Sequence, residues 1–166
     1  MSFPIKAALE SNCFDKIIVS TDEEEIAELA MSLGAEVPFI RPTEISDDFT
    51  GIIPVMRDAI EKSQFLYGKI DYACCIYATS PLISDKDLAA GYNAIQKSGC
   101  DYAFSVTSYA FPIQRAIKIN TQGNIAMFYP EHFITRSQDL EEAWHDAGQF
   151  YWGTADAWCK ERPIFE

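Results

Sequence analysis

The sequence predicts an α/β fold: a mostly parallel sheet covered by helices on both faces, with an antiparallel excursion late in the chain. Three observations carry this reading. Tyr72 to Tyr77 is a short apolar run with no charge on either face, as strands are when helices cover both sides of a sheet. Helical and strand-like segments then alternate regularly from Ser2 to Val106. From Phe111 the alternation gives way to two strand-like runs, Gln114 to Asn120 and Asn124 to Tyr129, joined by Thr121-Gln122-Gly123 as a hairpin.

Taken in order, Ser2 to Phe14 reads as an amphipathic helix whose apolar face is Ile5, Ala8, Leu9 and Cys13. Lys16 to Ser20 follows as a buried strand. Thr21 then caps a helix, with Glu24 reaching back and acids in the first turn, and Gly34 ends it. Ala35 to Ile40 is the next strand, closed by Arg41-Pro42, and a polar loop from Thr43 to Thr50 leads to a helix over about 51–65. Pro54 sits in its first turn, where a missing N–H costs nothing. Tyr72 to Tyr77 is expected as an interior strand, breaking at Ala78-Thr79-Ser80-Pro81 before a helix capped by Ser84. Tyr102 to Val106 is another interior strand. After the hairpin, Pro130 to Ala147 is polar and irregular, Gln149 to Gly153 is an aromatic strand, and Thr154 to Lys160 is a short helix.

A chain of 166 residues fits one domain with a sizeable core, in which roughly 111–147 forms an insertion arm. The net charge of −12 argues against nucleic acid or an anionic membrane as partner, since both call for a basic surface. No apolar run approaches the ~20 residues of a membrane span, and Met1 opens without a charged leader, so a cytoplasmic protein is expected. The five cysteines include no C-x-x-C pair, and neither His132 nor His145 has a partner at metal-ligand spacing. Cys74 and Cys75, neighbours in a strand, point to opposite faces. A doubly wound unit normally opens with a strand whose outgoing loop holds phosphate. This chain opens with a helix and ends soon after another, so truncation at both ends is expected.

In open α/β sheets ligands gather beyond the carboxyl ends of the strands, which singles out Thr79 and Ser80. None of the eight glycines forms a G-x-G-x-x-G or G-x-x-x-x-G-K-[ST] loop. The run Asp22 to Glu25 would repel phosphate, and its glutamates read as acids satisfying a helix dipole, with Asp22, at the strand's mouth, set apart from them. Asp85-Lys86-Asp87 matches the D-x-D of sugar-nucleotide glycosyltransferases, but in a first helical turn it reads as capping chemistry. Arg41, Arg115 and Arg136 lie in polar loops or beside strand ends, where a planar cation suits a base carbonyl, a carboxylate or a phosphate. Ser20, Ser80 and Ser105 lie at or near strand ends without a G-x-S-x-G elbow, which leaves hydrolase chemistry little support.

Four segments together carry a resemblance. Ile17-Ile18-Val19-Ser20-Thr21-Asp22 with Ile26-Ala27, the run from Gly34 to Pro42, Ala78-Thr79-Ser80-Pro81, and Thr135-Arg136-Ser137-Gln138-Asp139-Leu140 resemble the nonulosonate cytidylyltransferases. Tyr77-Ala78 and Ala147 depart from the N-acylneuraminate branch. With Ser108 to Arg115 and Asp146 to Trp152 they resemble the pseudaminic acid branch instead. The resemblance implies a Rossmann-like three-layer nucleotidyltransferase sheet with a hairpin dimerisation arm, and therefore a homodimer. It implies coupling of CTP to an acidic nine-carbon sugar: the anomeric hydroxyl attacks the α-phosphorus and pyrophosphate leaves. Matched residue by residue, it assigns nucleotide contacts to Arg41, Thr50, Tyr77, Thr79 and Ser80, and sugar contacts to Gln114, Arg136, Gln138, Gly148 and Gln149. It assigns no catalytic residue here. Mg2+ is the implied cofactor, with ligands largely outside this chain, because members carry a phosphate loop and an Asp-x-Asp segment that this chain lacks. The rival readings are a catalytically dead remnant keeping the fold and dimer surface, an N-acylneuraminate-type enzyme, and a glycosyltransferase using Asp85 and Asp87.

Overall fold

The computed structural model describes residues 1–165. Helix α1 (Ser2–Ser11) buries Pro4, Ile5, Ala7 and Ala8 and stops where Asn12 turns left-handed at φ 54°. It is shorter than its apolar period suggests, and Leu9 stays largely exposed. The strand expected at Lys16 to Ser20 and the one at Ala35 to Ile40 meet in a single parallel bridge, Ile18 with Glu36. Between them lies helix α2 (Glu24–Ser32), which starts later than Thr21. The Thr21 hydroxyl is buried and accepts the Glu23 N–H at 3.1 Å, satisfying one amide ahead of the helix rather than inside it.

Helix α3 (Ile52–Tyr67), strand β1 (Tyr72–Ile76), helix α4 (Asp85–Ser98) and strand β2 (Tyr102–Ser108) follow as the sequence orders them. Ser84 caps α4 as expected: its Oγ accepts the Asp87 N–H at 3.1 Å and donates to Asp87 Oδ2 at 2.7 Å. That is the helix-start chemistry anticipated for Asp85-Lys86-Asp87. Strands β3 (Ile117–Ile119) and β4 (Ile125–Met127) form the hairpin, whose turn is held by Asn120 Oδ1 accepting from Gln122 and Asn124. Strand β5 (Trp144–Thr154) and helix α5 (Ala155–Cys159) end the chain, with Thr154 capping α5.

The larger sheet has the order β1-β5-β2. The α/β class stands, but β5 runs antiparallel to β1, pairing Tyr72 with Thr154 through Ile76 with Phe150. The mostly parallel arrangement expected from the sequence is therefore not what these strands adopt. The late strand returns between two earlier ones, and alternation of helices and strands says nothing about where a later strand inserts. A second consequence is that β1 lies at the sheet edge, although its charge-free sequence reads as interior.

Both faces of this sheet are covered. Cys74, Phe150 and Trp152 pack on one side with Ala7, Ala8 and Leu88 of α1 and α4. Cys75, Tyr151 and Trp158 pack on the other with Ile60 and Ala155 of α3 and α5. The two neighbouring cysteines thus enter different layers, as alternation along a strand requires. Both buried indoles have partners, Trp152 Nε1 donating to Leu88 O at 3.0 Å and Trp158 Nε1 to Ala73 O at 3.1 Å. Contacts divide the chain into two compact units, Met1–Ser105 with Gly148–Glu166, and Val106–Ala147.

Candidate functional site

In the larger unit a cavity of about 960 Å³ opens between the Ile17 to Ser20 segment and β1, and its lining includes Arg41, Thr50 and Tyr77. Arg41 is held in place from several sides. Its N–H donates to Thr21 O at 2.8 Å, its Nε to Ser46 Oγ at 3.0 Å and its Nη2 to Asp22 Oδ1 at 3.0 Å. Asp22, set apart in the acidic run, is therefore the carboxylate that orients Arg41.

Thr50 is positioned by Asp47, whose Oδ1 accepts the Phe49 N–H at 2.8 Å, the Thr50 hydroxyl at 2.9 Å and the Thr50 N–H at 2.6 Å. Those donors stabilise the ionised carboxylate and hold its pKa below the ordinary aspartate value, the Phe49 amide contributing most. Tyr77 follows β1, and its N–H donates to Gln149 O at 3.0 Å, while its ring meets Tyr151 edge-on at 5.6 Å. Ser20 also lines the cavity, with a buried hydroxyl that has no partner among the described residues. The sequence placed Ser20 at a strand end but attached no nucleotide role to it. Its position at the mouth of a strand was the available signal.

The remaining assigned residues are disposed differently. Thr79 is exposed in the turn and does not line the cavity. Ser80 is buried, and its Oγ lies 3.4 Å from Gly148 O and 3.5 Å from Gln149 O, long contacts that tie the turn to the start of the β5 pairing. Ser80, Gly148 and Gln149 are thus brought together, with Gly148 at φ 62°. Such a backbone favours glycine, which accounts for that residue here.

Within the unit Val106–Ala147, Gln114 Nε2 donates to Glu141 O at 3.2 Å and Arg136 Nε donates to Asp139 Oδ2 at 2.8 Å. Gln138 lines a smaller cavity of about 220 Å³ with Tyr109, Phe111 and Glu141. Arg115, whose role the sequence left open, donates to Thr135 O at 3.1 Å.

The electrostatics of the large cavity are distinctive. Each lysine and arginine lining it already has a carboxylate partner: Arg41 has Asp22, Lys16 has Glu36 at 2.7 Å, and Lys69 has Asp71 at 2.5 Å. Burial among apolar atoms pushes the Cys75 thiol up to about 12 and the Cys74 thiol well above its usual value, so neither is a nucleophile near neutral pH. Among the described residues there is no group of three or more His, Cys, Asp or Glu that could hold a metal ion.

Comparison with known proteins turns this geometry into a class. The fold is that of a solved CMP:2-keto-3-deoxy-manno-octonic acid synthetase complexed with CTP, a nucleotidyltransferase, with a TM-score of 0.65 at 13% identity over 95% of this chain and 64% of that one. The likeness shows the fold, and the chain spans less than two thirds of that structure. A model of the cytidylyltransferase family matches residues 1–151, and the chain belongs to that family. It is 40% identical over its whole length to a pseudaminic acid cytidylyltransferase of Campylobacter jejuni subsp. jejuni serotype O:2, covering 72% of that protein. It is 33% identical to a Helicobacter pylori protein named for the same activity and a hydrolase, of which it covers 31%. It is 28% identical to a CMP-N,N'-diacetyllegionaminic acid synthase of Legionella pneumophila, of which it covers 60%.

Proposed function

We propose that this chain is a cytidylyltransferase that joins CTP to pseudaminic acid, giving the CMP-sugar and pyrophosphate. The observation that supports it most directly is the convergence of Arg41, Thr50 and Tyr77 on one cavity beyond the end of β1. In this reading Arg41, held by Asp22 and Ser46, presents its remaining donors to the cytosine carbonyl. Thr50, anchored through Asp47, lies beside the ribose. Ser80 positions the Gly148-Gln149 turn, with Gln149 assigned to the sugar acid, and within the Val106–Ala147 unit Gln114, Arg136 and Gln138 are the residues assigned to the sugar. For Arg136, release from Asp139 frees the guanidinium for a bidentate contact with the sugar carboxylate. The described residues do not by themselves make a magnesium site, so no step here is routed through the metal.

The net charge of −12 and the concave, largely apolar cavity favour a small-molecule substrate over nucleic acid. Among the described residues no helix is long and apolar enough to cross a membrane. A cytoplasmic location accords with that finding. Apolar side chains exposed on the Val106–Ala147 unit, including Phe111 at 81% and Ile134 at 88%, support a homodimer formed through this arm. Sedimentation that gives a monomer at all concentrations would remove that part of the proposal.

A specific observation also supports a second reading. With every lysine and arginine of the cavity already paired, its side chains supply little free positive charge to a triphosphate, as a remnant that binds cytidine without turning CTP over would. Pyrophosphate release separates the two readings. Incubation with CTP, Mg2+ and pseudaminic acid is expected to release pyrophosphate, and N-acetylneuraminic acid to release less. Nucleotide binding without any release would favour the remnant.

A further inference from the structure

The cavity of about 220 Å³ lies wholly within the Val106–Ala147 unit, and its walls are pinned from several directions. Tyr109 N–H donates to Ala143 O at 3.1 Å, which ties two of its walls together. The Tyr109 ring lies against the His145 ring with centres 4.7 Å apart, yet 47% of the residue stays exposed, so a ring held in place still has a face to offer. Gln114 Nε2 donates to Glu141 O at 3.2 Å and fixes that stretch. The short turn Ser137–Asp139 is closed by Asp139 N–H donating to Arg136 O at 3.0 Å.

The lining sorts ligand chemistry. Tyr109, Pro112, Leu140 and Ala143 give the pocket an apolar side. Glu141 and Glu142 also line it, and among the described lining residues there is no lysine, arginine or histidine. An anion would meet two carboxylates there without a counter-charge, which excludes the phosphates of CTP and the carboxylate of a sugar acid. The cation stands one residue outside: Arg136 directly precedes Ser137 and Gln138 of the wall, with its guanidinium on Asp139. A carboxylate bound at Arg136 therefore leaves the uncharged remainder of the same molecule at the pocket. Sites that take a whole ligand of drug size measure about 300–1,000 Å³, so this smaller pocket takes one part of a sugar.

We propose that the pocket receives the acetamido- and methyl-bearing end of the sugar, with Tyr109 and Leu140 as specificity-determining residues that favour it over a hydroxylated end. The proposal rests on the coupling to a sugar acid proposed above and names the part of that substrate which this unit selects. The acetamido methyl packs on the Tyr109 ring and Leu140, its N–H donates to a carboxylate of the Glu141-Glu142 pair, and the Gln138 amide donates to its carbonyl. Pseudaminic acid ends its side chain in an acetamido group and a methyl, where N-acetylneuraminic acid has hydroxyls. Against Tyr109, Pro112 and Leu140 those hydroxyls lose water without gaining partners, whereas a methyl has no such loss.

The test is an NMR titration of the intact, isotope-labelled chain with pseudaminic acid and, separately, with N-acetylneuraminic acid, read at Arg136 Nε–H and the Tyr109 ring. Pseudaminic acid is expected to shift both signals, to transfer magnetisation from its terminal methyl and acetyl protons to the Tyr109 ring, and to bind about tenfold or more tightly than N-acetylneuraminic acid. Tyr109→Ala should abolish that preference by weakening pseudaminic acid alone, and Tyr109→Phe, which keeps the ring on His145, should retain it. A shift at Arg136 without transfer to Tyr109 overturns the subsite and leaves the sugar reading standing. Equal weakening of both sugars by Tyr109→Ala also overturns it, because the ring then only holds the arm together. No shift at either residue with either sugar overturns the subsite and the sugar reading together.

Discussion

Gly91 offers a test in which two effects of opposite sign compete. It lies inside α4, where replacing glycine by alanine in an exposed helix gains about 0.8–1 kcal/mol. Here an added Cβ would come within 2.7 Å of Phe150 Cε2 and 2.8 Å of Trp152 Cδ1. Neither ring can yield easily. Phe150 and Trp152 are buried, Trp152 is stacked on Phe14 with ring centres 4.8 Å apart, and its indole nitrogen is bonded to Leu88 O. Overpacking of a formed core costs about 1–3 kcal/mol, so Gly91→Ala should be destabilising by up to about 2 kcal/mol despite the better helix former. For a chain of this size that lowers Tm by several degrees, at about 2–4 °C per kcal/mol. Asn93→Ala, on the same helix but exposed, should instead leave stability unchanged or slightly raised. Urea unfolding followed by tryptophan fluorescence measures both. A Gly91→Ala chain stabilised by the full helix increment would show that α4 is not seated on the aromatic residues of β5.

Other expectations follow from the site and the thiols. Asp47→Ala removes the acceptor of three donors at Thr50 and Phe49 and should weaken CTP binding about tenfold and lower Tm modestly near neutral pH, as calorimetry and thermal melts would report. Because the folded-state pKa of Asp47 is lowered, the stability it contributes is present above the ordinary aspartate range and is lost as pH falls through the lowered value. An acid titration of the parent against Asp47→Asn should therefore show the parent losing more stability below about pH 4. With a thiol-specific reagent near pH 8, Cys100, which is exposed, should react first, and Cys75, pushed up to about 12, should react only on unfolding. Fast labelling of Cys75 in the folded chain would contradict the packing of β1 against α3 and α5.

Much of the fold was legible because helix signals are local. Ser84 at the start of α4 and the Asn120 to Asn124 turn each declare themselves within a few residues, and each stands where the sequence puts it. Strand context was less legible. Tyr72 to Ile76 reads as interior because both of its faces are covered, yet pairing is a separate property from covering, and only one of its edges is paired. Lys16 to Ser20 and Ala35 to Ile40 have strand composition but share one bridge, since a ladder needs neighbours as well as apolar side chains. At the site, a charged residue in a loop could be recognised as a candidate, but its restraint could not. That Asp22 would hold Arg41, that Asp47 would hold Thr50, and that Ser80 would contact the Gly148-Gln149 turn depend on chain crossings that no local pattern encodes.

The most direct measurement is calorimetric titration of CTP into the intact chain and into Arg41→Ala, with folding of both confirmed by circular dichroism. If the cavity between Arg41, Thr50 and Tyr77 reads the cytosine, the parent binds CTP in preference to UTP and the variant binds at least about tenfold more weakly, a loss of roughly 1.4 kcal/mol. Equal CTP affinity in the two folded proteins, or a parent that does not distinguish CTP from UTP, would contradict it.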